Sequence, residues 1–133
     1  MGYLLVGAGK ALHYLKIEAA TRTLVSGASE HLRWPIESIS TWKDLICVGG
    51  NKEGVSIFVY DATYKRFQHC KSDRYAKWVT DALLLDEQLI VSTDKFGGLS
   101  AMIYSSRQSG QPTRDNKSTR CSRAASVAGL WSR

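Results

Sequence analysis

Short apolar runs, punctuated by turn residues and recurring at a constant interval, predict an all-β chain: a partial β-propeller of roughly two four-stranded blades with a disordered C-terminal tail. Trp34 and Trp78, Ile39 and Leu83, Leu45 and Leu89, Gly54 and Gly98, and Tyr60 and Tyr104 each stand 44 residues apart. Gly7 precedes Gly49 by 42, so a third, incomplete copy opens the chain. Such an interval, with no long helical pattern inside it, is the length of one propeller blade. Residues 1–104 hold little more than two intervals. A closed ring needs about four to eight blades, so this ring does not close on its own.

The elements follow in order. Tyr3–Val6 forms a first strand, Gly7-Ala8-Gly9-Lys10 a turn, and Ala11–Ile17 a second strand with partial two-residue alternation. Gly9-Lys10 is no phosphate loop, because that motif's first Gly falls on Leu4 and its closing hydroxyl on Ala11. Met1-Gly2 is no acylation signal, since Val6 stands where a Ser or Thr is needed. Thr23–Ser26 is a third strand, and a polar connector through Ser29-Glu30-His31 leads to Trp34-Pro35. Pro35, lacking a donor, marks the start of the strand Ile36–Thr41. Leu45–Val48 then turns through Gly49–Gly54 into Val55–Tyr60. Asp61–Tyr64 turns into Lys65–Cys70, and Lys71-Ser72-Asp73 connects to the next copy.

The net charge of +6 invites a nucleic-acid reading until it is divided along the chain. Residues 1–104 carry 12 basic and 11 acidic side chains, whereas residues 105–133 carry 6 basic ones against the single Asp115. The basic character therefore lies in the tail and not on a folded face. Cys47, Cys70 and Cys121 show neither a disulfide framework nor zinc-ligand spacing, and Cys47 sits inside an apolar run, which fits a reducing compartment. Tyr3–Val6 is too short for a signal-peptide core, and no apolar run approaches the length of a membrane span.

Arg74-Tyr75-Ala76-Lys77-Trp78-Val79-Thr80, Leu85-Asp86 and Asp94-Lys95-Phe96-Gly97-Gly98 carry a family signature, with Leu4-Leu5-Val6-Gly7 and Gly9-Lys10 as its opening. They resemble the large propeller family that contains splicing factor 3B subunit 3, the large cleavage and polyadenylation specificity factor subunit and the large damaged-DNA-binding protein. The first of these branches is the nearest, over residues 3–102. Ala76, Gly98 and Ser92-Thr93 depart from that branch's Pro, Asn and small residues. The resemblance implies a C-terminal piece of a nuclear, non-enzymatic scaffold. Its implied partners are protein subunits of RNA-processing or ubiquitin-ligase assemblies, with RNA or DNA contact in some members and no membrane.

No catalytic, cofactor or metal site emerges beside this. Asp81, Asp86, Glu87 and Asp94 fall where turns need a carboxylate, His13, His31 and His69 are scattered, and no Gly-x-Ser-x-Gly elbow is present. The residues expected to matter are structural signatures of the repeat: Trp34, Trp78, Asp94, Lys95, Phe96, Gly97 and Gly98. Both tryptophans, being in register, are expected to pack between blade strands rather than stack on bases. Truncating Trp78 should then cost about 3–5 kcal/mol. From Ser105 the chain holds seven Ser and five Arg with no apolar period before Val127, so a basic tail, 105–133, is expected to be disordered beside a body, 1–104. The family pattern stopping near Met102 suggests a replaced continuation.

Overall fold

The computed structural model describes residues 2–73, 75–104 and 125–127. Among these there are eleven strands and no helix, arranged as three antiparallel sheets in chain order. The first sheet holds β1 (Gly2–Ala8), β2 (Ala11–Glu18) and β3 (Thr23–His31). The second holds β4 (Ile36–Trp42), β5 (Leu45–Gly50), β6 (Val55–Asp61) and β7 (Arg66–Ser72). The third holds β8 (Val79–Leu84), β9 (Leu89–Asp94), β10 (Leu99–Ile103) and β11 (Ala125–Val127). Each is an up-and-down meander, the form of a propeller blade. The 44-residue interval is visible in the strands, since Leu45 and Leu89 open β5 and β9, and Val55 and Leu99 open β6 and β10.

Alternation along the middle sheet explains the stacking. A strand sends successive side chains to opposite faces, so a strand buried on both faces reads as a continuous apolar run. Leu45-Ile46-Cys47-Val48 in β5 is such a run. Ile46 and Val48 join Leu12, Phe58 and Phe67 in a core between the first two sheets, flanked by Leu5, Tyr14, Ile36, Ile39 and Tyr60. Cys47 points the other way, into a second core with Val55, Ile57, Val79, Ala82, Leu84, Ile90, Met102 and Tyr104. The rings of Tyr3, Tyr14 and Tyr60 stack in a column across the first junction, with centroids 5.0 and 3.8 Å apart.

Backbone and hydroxyl hydrogen bonds fix one sheet against the next. Ile36 N–H donates to Gly9 C=O at 2.8 Å, and Leu32 N–H to Lys10 C=O at 2.8 Å, so the β1–β2 turn seats the start of the second sheet. At the other junction, Leu84 N–H donates to Ser40 Oγ at 3.0 Å. Lys43 and Glu87 form an ion pair there between equivalent turns.

Two expectations change. The segment Ser29-Glu30-His31 is not a connector but the end of β3, pairing with His13, Leu12 and Ala11. The register shift between Tyr14 and Leu15, opposite Gly27, lets the strand run on past its break in apolar pattern. The expected disordered tail lies outside the described residues except at Ala125–Val127, and those three residues pair with Ile103, Met102 and Ala101 as the fourth strand of the third sheet.

Candidate interaction surfaces

The two repeat tryptophans occupy different environments. Trp34 is 6% exposed and packs against Gly50, where an added Cβ would stand 1.9 Å from its Cδ1. Its equivalent, Trp78, is 39% exposed, with the Lys95 ammonium 4.0 Å from its ring centroid. The expectation that Trp78 packs between strands is therefore corrected. The strands that the two tryptophans lead into differ by one in register: Ile36 pairs with Gly50 but Val79 with Asp94, so Trp78 stands in the register of Pro35, one residue from the place of Trp34. From there the indole lies at the surface and pairs with a cation. Trp78 C=O still accepts from Lys95 N–H at 2.9 Å, which ties the approach to β8 to the β9–β10 turn.

Asp94, Lys95, Phe96, Gly97 and Gly98 are brought together as that turn. The Asp94 carboxylate accepts from Phe96 N–H and Gly98 N–H, both at 2.8 Å. Gly97 has φ +83°, in the region that side chains avoid, and a Cβ on Gly98 would fall 2.3 Å from Asp94 Oδ2. The motif is a turn-building device whose product is a protruding tip: Phe96 is 86% exposed beside the Trp78–Lys95 pair. Asp86 performs the same service in the β8–β9 turn, accepting from Gln88 N–H and Leu89 N–H at 2.7 Å, which holds its carboxyl below the usual range.

The outer faces of the terminal sheets form the larger apolar surface. Leu4 pairs with Leu15, and Ile17 with Leu24, on the side of the first sheet opposite its core-facing Leu5 and Tyr14. Leu83 pairs with Val91, Val91 with Ala101, and Leu89 with Ile103, on the side of the third sheet opposite its core-facing Leu84, Ile90 and Met102. Leu24 is 56% and Leu83 52% exposed, and Leu4, Ile17, Leu99 and Ile103 are exposed too. Clustered exposed aliphatics of this kind mark contact surfaces. Alternation along the strands would have located both faces, since every second residue of β1 and β10 is apolar on the side away from the core.

The remaining polar groups are tied to structure. A cleft of about 320 Å³ is bordered by His31, Trp34, Glu53, Phe58, His69 and Ser72. There the Ser72 hydroxyl lies 2.9 Å from Ser56 Oγ and 2.8 Å from His69 Nε2, linking neighbouring strands of one hairpin. Burial pushes the Cys47 thiol up to about 12, with Asp81 adding to the shift, so it remains a protonated core group. Among the described residues no three His, Cys, Asp or Glu side chains gather in a metal-binding geometry, and no helix is long and apolar enough to cross a membrane.

No curated protein matches the chain. The sequence pattern of the CPSF A subunit region matches residues 1–126, reaching beyond Met102 to include nearly all of β11. Three stacked antiparallel sheets and this match over most of the sequence lead to one assignment: the chain belongs to the CPSF A subunit region family.

Proposed function

We propose that this chain is a non-enzymatic scaffold element of nuclear RNA-processing assemblies, in pre-mRNA splicing or 3′-end processing, which joins protein subunits through its blade surfaces. The family is one of scaffold-type propeller regions, and the signature at Trp78-Val79-Thr80 and Asp94–Gly97 favours the splicing factor 3B subunit 3 branch within it. The observation that carries the reading is the pair of apolar outer faces, because a blade stack offers packing surfaces where an enzyme offers converging polar groups.

Affinity purification of the full chain from nuclear extract, followed by mass spectrometry, tests it against a Leu83→Lys/Ile103→Lys variant. RNA-processing subunits retained by the wild type and lost from the variant are expected. Ubiquitin-ligase subunits in their place would transfer the chain to the adaptor branch of the family. Loss of all partners after nuclease treatment, with RNA retention falling steeply with salt, would assign binding to the basic tail instead.

A further inference from the structure

The first two sheets share a core, and beside it a cleft of about 320 Å³ opens between β3 and β7. The register of each strand states which side chains enter it. Glu30 pairs with Leu12, which is fully buried in the core between the two sheets, so Glu30 lies on that face of the first sheet and is directed toward the second. A carboxylate thus stands on a core-facing position.

On β7 the alternation is interrupted. His69 and Ser72, three apart, would face opposite sides of a regular strand, but the register shift beside Cys70 sets His69 opposite Phe58 and Ser72 opposite Ser56, so both face the first sheet. His69 Nε2 and Ser72 Oγ lie 2.8 Å apart, and the imidazole packs edge-on against Phe58 with ring centroids 5.1 Å apart. The bulge therefore aims both polar groups at Glu30's side of the cleft.

The lining is unbalanced in charge. Two carboxylates, Glu30 and Glu53, face one guanidinium, Arg33, which leaves −1 with His31 and His69 neutral. Among the described residues none of these three charges has an ion-pair or hydrogen-bond partner. Phe58 and Trp34, both buried, supply the apolar part of the lining.

We propose that this cleft binds an arginine side chain presented by a partner polypeptide. A guanidinium is planar, weakly hydrated and carries five N–H donors, so it can donate to Glu30 and Glu53 and to the Ser72 oxygen while it lies against the aromatic lining. A lysine ammonium, compact and strongly hydrated, uses such a lining less well. The volume lies at the lower end for ligand sites, which suits one side chain and not a strand or a helix. The cleft is separate from the apolar outer faces described above, so either proposal can fail without the other.

The test is saturation-transfer NMR on the full chain with acetyl-arginine amide as the probe. Transfer to its side-chain protons is expected, and acetyl-citrulline amide, which has the same shape without the charge, and acetyl-glutamate amide should show little. Glu30→Gln keeps the shape of the side chain and removes its charge, so it should weaken binding of the arginine probe by roughly tenfold or more. Arg33→Gln, which removes the like charge, should strengthen it. Glu53→Gln, on the β5–β6 turn and outside the strands, gives an independent reading and should weaken it as Glu30→Gln does. Stronger transfer to the glutamate probe, equal transfer to arginine and citrulline, undiminished binding by both glutamate-to-glutamine variants, or no transfer to any probe would overturn the proposal.

Discussion

Trp34 and Trp78 stand 44 residues apart, but Ile36 pairs with Gly50 and Val79 with Asp94, a one-residue difference in register that gives the two rings different surroundings. Trp34 is buried over Gly50 while Trp78 lies at the surface under Lys95, so their truncations should diverge. Trp34→Ala removes a large core side chain and should cost about 3–5 kcal/mol, whereas Trp78→Ala should cost about 1 kcal/mol or less, the range of an exposed cation–π contact. Urea denaturation of the two variants decides this, and equal costs would show that Trp78 is packed as Trp34 is. Cys47 gives a pH-dependent counterpart. Its thiol is raised from an ordinary 9.0 to about 12 by burial. Between those values the unfolded chain releases the proton and the folded chain keeps it, so stability is complete below pH 9 and falls as pH rises toward 12. The denaturation midpoint should decline from pH 9 to 10, and Cys47→Ala should flatten that decline.

At the scale of the element, the turns are as informative as the strands. Asp94→Ala leaves the Phe96 and Gly98 amides without their shared acceptor, a loss comparable to that of a helix cap, and should cost about 0.5–2 kcal/mol. Asp94→Asn, which keeps an acceptor oxygen, should recover most of it, and thermal melting of the two variants measures the difference. Strand positions were legible in the sequence because the 44-residue interval places Leu45 with Leu89 and Gly54 with Gly98. The Trp78 environment was not legible from Trp78 itself, since the one-residue change of register comes from the turn after β8, which holds Asp86, Glu87 and Gln88 where the turn after β4 holds only Lys43 and Asp44. β11 was hidden for a different reason: three residues in a Ser- and Arg-rich stretch show no period, and the strand is defined by its pairing with β10. The roles of Lys43 with Glu87, and of Ser40 with Leu84, were also missed, although each pair is spaced by the repeat interval.

For the whole molecule, stacking rather than closure is the governing fact. The middle sheet is covered on both faces, and its buried β5 shows what the terminal sheets lack. Each terminal sheet has one face in a core and one carrying exposed aliphatics. In a quasi-one-dimensional repeat, stability comes from neighbour interfaces, so faces that carry exposed aliphatics are its most adhesive parts. The most direct measurement is size-exclusion chromatography with light scattering on the full chain across a range of micromolar concentrations, with the Leu83→Lys/Ile103→Lys variant run alongside. The expected result is concentration-dependent association by the wild type and a shift toward monomer in the variant. A wild type that stays a monodisperse monomer at every concentration, with β1 and β9 amides as protected from exchange as those of β5, would contradict the open stack and show that the terminal faces are satisfied within one chain.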